Sequence, residues 1–218
     1  MTIRTPDDLC RKLDGELAWR KKELSDLKYF IDQRTENPFR KRVLGRCGVT
    51  ILYAHWEGFV KIAARYFLEF VAMQRLRNEE LQPHLLTLSV RSSVAFSSDT
   101  RKHSELGKLT EFFLNGLSER ARLPFKKGLD TESNLSSTVL KEITWCLGVP
   151  YLPFETKEKF IDARLLGRRN CIAHGEEVDV DPREFDGMRD VVIEMMVYLN
   201  NQLQNAATLR TFMRTGNS

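Results

Sequence analysis

The feature that most constrains this chain is a helical periodicity that continues over long stretches. From Asp7 to about Arg34, leucine and isoleucine recur at spacings of three or four residues with one longer step, and lysine and glutamate fill much of the rest. This spacing places the apolar side chains on one side of an α-helix. The sequence therefore predicts an amphipathic helix whose apolar side packs against another part of the chain.

Three further helices are predicted by the same reasoning. A second long pattern runs from about Lys41 to Arg75 after the break at Asn37-Pro38, and it is apolar enough to be largely buried. A third covers Ser137 to Leu147, where Gly148 and the proline just beyond it give a stop signal. Thr156 offers an N-cap for a fourth helix that continues through Ala173.

The last long helix is predicted to open at Asp181-Pro182, because a capping acid is followed by proline at the first helical position. No run of sustained period-two alternation competes with the helices. The sequence predicts an all-α bundle in a single domain over residues 1–218, with its core at about 7–205. Periodicity weakens at about 83–136, which predicts an irregular insertion suited to substrate contact, with a short helix at Leu109–Leu117. About 206–218 is predicted to be a flexible tail.

Charge and cysteine content restrict the class of protein. The chain has 34 Lys+Arg against 30 Asp+Glu, a net charge of +4, which does not by itself indicate a nucleic-acid partner. Its four scattered cysteines fit free thiols in a reducing compartment. An apolar signal segment and a membrane-length run are both absent from the sequence. We therefore expect a cytoplasmic protein with no membrane partner, and no motif calls for a metal or cofactor.

The segment Arg168–Gly175, RRNCIAHG in one-letter code, concentrates groups capable of chemistry. Arginine offers a permanent planar fork for a phosphate, and histidine changes charge near neutral pH. On a helix, Asn170 and His174 share a side, and the long Arg169 side chain reaches the same patch from its flank. If Gly175 ends the helix, the negative helix end favours the imidazolium form of His174. These residues indicate phosphodiester chemistry. Arg164 and Arg168 form a local basic cluster with Arg169 beside the imidazole, which supports this interpretation.

Such a site needs no metal if a ribose 2′-hydroxyl attacks its adjacent phosphorus. Arg169 would neutralise the developing negative charge, and His174 would transfer a proton to or from the sugar oxygens. RNA is then the natural substrate, because DNA lacks the internal nucleophile. The same residues also fit a helix end at which cations and a histidine interact with terminal carbonyls, without any chemistry.

Several segments together resemble a known family. Arg169–Gly175 is similar to the R-N-x-x-x-H signature of the HEPN superfamily. Tyr53–Lys61, Ser133–Leu135 and Trp145–Gly148 resemble its subgroup named after the MAE_28990 and MAE_18760 proteins. The resemblance covers most of residues 10–200.

The resemblance implies a helical bundle that dimerises so that two R-x4-H motifs face each other across a cleft, forming a metal-independent endoribonuclease. It implies that Arg169 and His174 are the catalytic pair and that Asn170 is the usual polar second position. Many relatives act in prokaryotic defence or as toxins, so the expected partners are RNA, a second copy and an antitoxin or defence protein. Glu176 stands where one branch has a tyrosine modified by a partner enzyme, so that control is not implied here.

Alternatives stay open for two groups and for the function. Glu57, on the apolar second helix, either forms a structural ion pair, for example with an arginine of the motif helix, or orients Arg169 or His174. Lys126-Lys127, with Arg120 and Arg122 nearby, are either a solvated face or a track for an RNA backbone. The alternative functions are a non-catalytic HEPN-like dimer that binds nucleic acid or a partner protein, and an antitoxin or scaffold subunit.

Overall fold

The computed structural model describes residues 2–32, 37–93, 103–131 and 134–214. Within these ranges the regular elements are helical, which confirms the predicted all-α class, and β-structure is limited to isolated bridges. None of these helices is long and apolar enough to cross a bilayer. The elements are α1 (Pro6–Asp32), α2 (Pro38–Met73), a 3₁₀ turn (Asn78–Glu80), α3 (Pro83–Ser93), α4 (His103–Asn115), α5 (Ser137–Leu147), α6 (Leu152–Glu155), a π-helix (Phe160–Gly167), α7 (Arg168–Ala173) and α8 (Pro182–Leu209).

The three long helices α1, α2 and α8 pack against one another and form the bundle. Helix α2 is its centre, because it also contacts α5, the π-helix and α7. Its side chains Trp56, Phe59, Ala63 and Phe67 are fully buried and follow the three- and four-residue spacing that predicted a largely buried helix. The buried apolar side chains form one main cluster from Ile3 to Phe212, so α2 gives a rigid wall to whatever packs on it.

Local capping fixes several helix ends at or within a few residues of the positions that the sequence predicts. The side chains of Asn37, Ser136 and Asp181 accept backbone N–H groups at the starts of α2, α5 and α8, at 2.8–3.2 Å. Helix α5 ends at Leu147, and Gly148 caps it. These ends were predictable because each depends on residues within one turn of the helix.

The middle region at about 83–136 is less irregular than predicted, since it contains α3 as well as α4, which overlaps the short helix predicted at Leu109–Leu117. The apolar spacing did not predict α3, because the polar side chain of Ser89 occupies a buried position on the apolar side of this helix. The Ser89 hydroxyl donates to Asn78 Oδ1 at 2.6 Å and accepts the Arg122 N–H at 2.9 Å. A serine whose hydrogen bonds are satisfied therefore stands at a core position where the helical pattern would have an apolar residue.

The predicted flexible tail, about 206–218, is anchored over the part that the structure describes. Helix α8 continues to Leu209, and Phe212 is 2% exposed, with its ring 5.6 Å from that of Phe70. The backbone of residues 212–214 hydrogen-bonds to Gln82 and Glu80. Up to residue 214 the segment therefore does not form the free tail that the sequence predicts, because the buried Phe212 ring and these backbone hydrogen bonds hold it. Residues 215–218 lie outside the described ranges.

The helix predicted from Thr156 to Ala173 has a different internal structure. Thr156 ends α6 rather than capping a new helix, and residues Phe160–Gly167 form a π-helix that continues directly into α7. The buried residues Ile161, Leu165 and Leu166 are spaced by four and five, which fits either type of helix. Periodicity therefore could not distinguish them, and π-turns often lie beside functional residues.

Gly48 is required where α1, α2 and α8 meet, because a Cβ there would lie 2.7 Å from Ile31 Cδ1 and 2.9 Å from Phe185 Cε2. We expect Gly48→Ala to lower the free energy of unfolding by about 1–3 kcal/mol through overpacking. Gly15→Ala, in open space on α1, is the matched control and should raise it by up to about 1 kcal/mol. Urea denaturation measures both, and equal effects would contradict the packing argument.

Candidate functional site

The end of α7 places His174 at the protein surface. His174 is the C-cap, and its N–H donates to the Asn170 carbonyl at 2.9 Å, so the two residues stand one helical turn apart. Gly175 has φ +81°, and the N–H groups of Gly175 and Glu176 bond to the carbonyls of Ile172 and Cys171. This is the Schellman arrangement, which confirms Gly175 as the helix-ending residue. The imidazole is exposed and makes no hydrogen bond or ion pair within the described ranges.

The Arg169 side chain, at the other end of α7, is directed at α2. Its guanidinium carbon lies 4.1 Å from the centre of the Tyr53 ring, and its Nη2 donates to Asn134 Oδ1 at 2.9 Å. An arginine on an aromatic face with a hydrogen bond at its edge has little rotational freedom. The guanidinium is therefore held in one orientation at the edge of the bundle, and it is only partly buried.

Glu57 lies one turn from Tyr53 on α2 and joins this cluster through it. Its Oε1 accepts from Lys61 Nζ and from the Thr131 hydroxyl, each at 2.7 Å. Burial alone would raise the pKa of Glu57, but the bonds from Lys61 and Thr131, with a smaller contribution from Tyr53, hold it below its usual 4.5. Glu57 is thus a carboxylate at neutral pH, and its ion pair is with Lys61 rather than with an arginine of the motif helix.

Tyr53 connects the two charged groups. Its hydroxyl accepts the buried N–H of Leu135 at 2.7 Å and interacts with both Arg169 and Glu57. Burial is the main cause that raises the pKa of Tyr53, so the ring stays neutral beneath the guanidinium. The structure therefore brings Glu57, Tyr53 and Arg169 together, while His174 stands at the far end of α7, five positions after Arg169.

The predicted cluster of three arginines is divided by the structure. Arg164 and Arg168 both bind Glu184 Oε1 on α8, at 3.1 and 2.7 Å, and these contacts lower the pKa of Glu184. They tie the π-helix and α7 to the bundle instead of adding charge beside His174. Sequence spacing alone could not show this, because Glu184 reads equally well as a first-turn acid of its own helix.

The acidic stretch after the motif is fastened to α2. Arg42 pairs with Glu177 and with Asp179, the latter at 3.2 Å, and Arg46 Nη1 donates to the Glu176 carbonyl at 2.7 Å. Contact with the Glu176 carboxylate raises the pKa of the Cys171 thiol, which disfavours a thiolate nucleophile. Within the described residues, no three His, Cys, Asp or Glu side chains converge as a metal site.

Tyr53, Thr131 and Asn134 are the site residues that sequence reasoning did not single out. Tyr53 and Asn134 do lie in the segments that carry the family resemblance, which is the signal that could have drawn attention to them. Their contacts depend on tertiary packing between α2, α7 and the loop before α5. Chemically, the arrangement offers a fixed planar cation and an exposed acid–base group on one short helix.

Tyr53→Phe tests whether the hydroxyl supports this cluster. The buried Leu135 N–H would lose its acceptor, so we expect the free energy of unfolding to fall by about 1–3 kcal/mol. Tyr29→Phe, at a side chain that is 64% exposed, should change it by less than about 0.5 kcal/mol. Denaturant titration of both variants beside the wild type gives the answer; a Tyr53 effect no larger than that of Tyr29 would count against the role assigned to the hydroxyl.

Comparison with known proteins agrees with the sequence resemblance at the level of the HEPN superfamily. The family model described as RiboL-PSP-HEPN matches residues 16–205, which include α2, α7 and most of α8. No curated protein and no solved structure gives a significant match. Because the matched range covers most of the chain and contains the whole Arg169–His174 motif, this protein belongs to the RiboL-PSP-HEPN family of the HEPN superfamily, whose membership supports a nuclease or nucleic-acid-related role.

Proposed function

We propose that this protein is a metal-independent endoribonuclease that works as a homodimer. The observation that carries the proposal is the geometry of α7: a guanidinium fixed against Tyr53 and Asn134 at one end, and an exposed imidazole at the capped other end. Family membership supports the nucleic-acid part of the proposal. In the dimer, a second copy would bring an equivalent pair across the cleft.

In the proposed reaction the ribose 2′-oxygen attacks the adjacent phosphorus, and the bond from phosphorus to the 5′-oxygen breaks. The 2′-hydroxyl loses a proton and the leaving 5′-oxygen gains one, giving a 2′,3′-cyclic phosphate. His174 transfers protons, for which its exposed ring is suited. Arg169 binds the phosphoryl oxygens as negative charge develops, and a preoriented cation serves this purpose without reorganising.

Asn170 and Glu57 have supporting roles in this proposal. Asn170 precedes His174 by one turn and would orient the substrate or the imidazole. Glu57 reaches Arg169 only through Tyr53, so it would act as a positioning residue and not as an acid or base. The narrower subgroup assignment, a toxin or defence role in the cytoplasm and an antitoxin or defence partner stay predictions from the sequence resemblance.

Cleavage assays with Arg169→Ala and His174→Ala test the catalytic pair. Each change should lower RNA cleavage at least about 100-fold, because each removes a group that acts in the transition state. His103→Ala, which removes an exposed histidine on α4, is the matched control and should cleave like the wild type. A metal chelator should have no effect, and the product ends should carry cyclic phosphate.

Two results would count against the nuclease. Equal cleavage by wild type and His174→Ala would remove the proposed acid–base group. A wild type that never cuts RNA, but binds it as well as His174→Ala does, would favour the non-catalytic dimer instead.

The role of Glu57 is separable from its ion pair with Lys61. At saturating RNA, Glu57→Gln should lower kcat about tenfold or more through misplacement of Arg169, with the dimer intact. Lys61→Gln breaks the same ion pair from the other side and should leave kcat unchanged. Matching kcat values for the two variants, measured in steady-state assays at saturating RNA, would show that Glu57 has only a structural role.

A further inference from the structure

A second feature of the surface is a groove of about 1370 Å³ between α2 and the loop that precedes α5. One wall is formed by α2, the other by residues 123–131, and the end of α3 closes one side. Pockets for small molecules occupy roughly 300–1,000 Å³, so this groove is larger than one such ligand requires. Its size favours an extended ligand.

Basic side chains predominate among the charged groups of the groove. Two acidic residues, Glu16 and Asp130, line it, and Glu16 is bound by the buried Arg20. The basic residues that line it are Arg20, Lys61, Arg65, Arg91, Lys126 and Lys127. Excess cations in a concave surface attract a polyanion.

Four of these cations keep their charge available. Arg20 and Lys61 are paired with Glu16 and Glu57. By contrast, the exposed side chains of Arg65, Arg91, Lys126 and Lys127 make no ion pair within the ranges that the structure describes. They stand on both walls, so a ligand between them would meet positive charge from two sides.

The floor of the groove is apolar. It includes Ile62 of α2, Leu88 of α3 and the loop residues Pro124 and Phe125, which are partly or fully buried. A double helix hides its base faces inside the stack and would leave such a floor uncovered. A single strand can lay bases on apolar and aromatic groups while its phosphates meet the cations.

A chain of side-chain contacts links the groove to the Arg169 cluster. Thr131 lines the groove and donates to Glu57, which interacts with Tyr53 beneath Arg169. Along α2, the residues Tyr53, Glu57, Lys61 and Arg65 follow one another every four positions, so they form a single row from the cluster into the groove.

We propose that this groove binds the single-stranded segment of an RNA next to the scissile linkage and leads it to Arg169. The proposal rests on the nuclease function above for the identity of the nucleic acid. Lys126, Lys127 and Arg65 are its phosphate contacts. The sequence alone left open whether the two lysines are only a solvated face, and the groove favours the RNA contact.

Binding is measured by fluorescence anisotropy with a labelled oligouridylate of about 12 nucleotides, in the His174→Ala background so that cleavage does not interfere. Lys126→Glu/Lys127→Glu should raise Kd at least about tenfold and lower the slope of log K against log salt by about 1.4, since each single-strand contact contributes about 0.7. Arg65→Glu tests the opposite wall and should also raise Kd. Melting temperatures equal to that of the parent show that these exposed changes leave the fold intact.

Lys21→Glu/Lys22→Glu is the matched control, because it reverses an exposed lysine pair on α1 outside the groove and changes net charge equally. We expect its Kd to stay within about twofold of the parent. Equal weakening by both lysine pairs, or no weakening by the groove pair, would overturn the proposal. Displacement of the strand by duplex RNA or by inorganic tripolyphosphate at equal phosphate concentration would also overturn it.

The same variants distinguish this proposal from the nuclease. If no RNA is ever cut but the groove pair is needed for binding, the nuclease fails and the groove stands. If His174→Ala abolishes cleavage while the groove variants bind and cut normally in the otherwise wild-type chain, the nuclease stands and the groove fails.

Discussion

The contact between the Arg169 guanidinium and the Tyr53 ring, 4.1 Å from guanidinium carbon to ring centre, is what joins the motif helix to the centre of the bundle. Tyr53 is 3% exposed and lies on α2, the helix at the centre of the bundle. A cation–π contact contributes about 0.5–2 kcal/mol depending on its exposure. This modest interaction matters because it fixes an orientation: α7 has only six residues and does not bury any of them fully, so its position depends on partners outside it.

The three arginines of the motif region have different partners and therefore different roles. Arg164 and Arg168 hold the π-helix and α7 on α8 through one carboxylate, that of Glu184. Arg169 alone of the three turns to α2, where Tyr53 and Asn134 receive it. A dense run of basic residues in a sequence is therefore not a dense patch of positive charge on the surface. Because Arg164 and Arg168 hold the π-helix and α7 on α8, Arg169 is held in position against α2.

Much of the fold could be predicted from the sequence because its determinants are local. The long helices follow from side-chain spacing, and the starts of α5 and α8 and the end of α7 follow from caps within one turn. Buried Ser89 interrupted the periodicity of α3, and the anchoring of Phe212 depends on distant aromatic rings. In the candidate site, Arg169 and His174 were visible in the motif. The partners of Arg169 were not assignable, because Tyr53 and Asn134 lie far away along the chain and reach it only through packing.

The π-helix sets the rotational phase of everything that follows it. Each residue advances a helix by about 100°, and a π-turn holds one residue more than the corresponding α-turn. If the same residues Phe160–Gly167 were wound as ordinary α-helix, the residue that the wider turn absorbs would rotate α7 by about 100°. Arg169 would then face away from Tyr53 with its chemistry unaltered. The winding of this segment, as well as the identity of the motif residues, thus sets where Arg169 points.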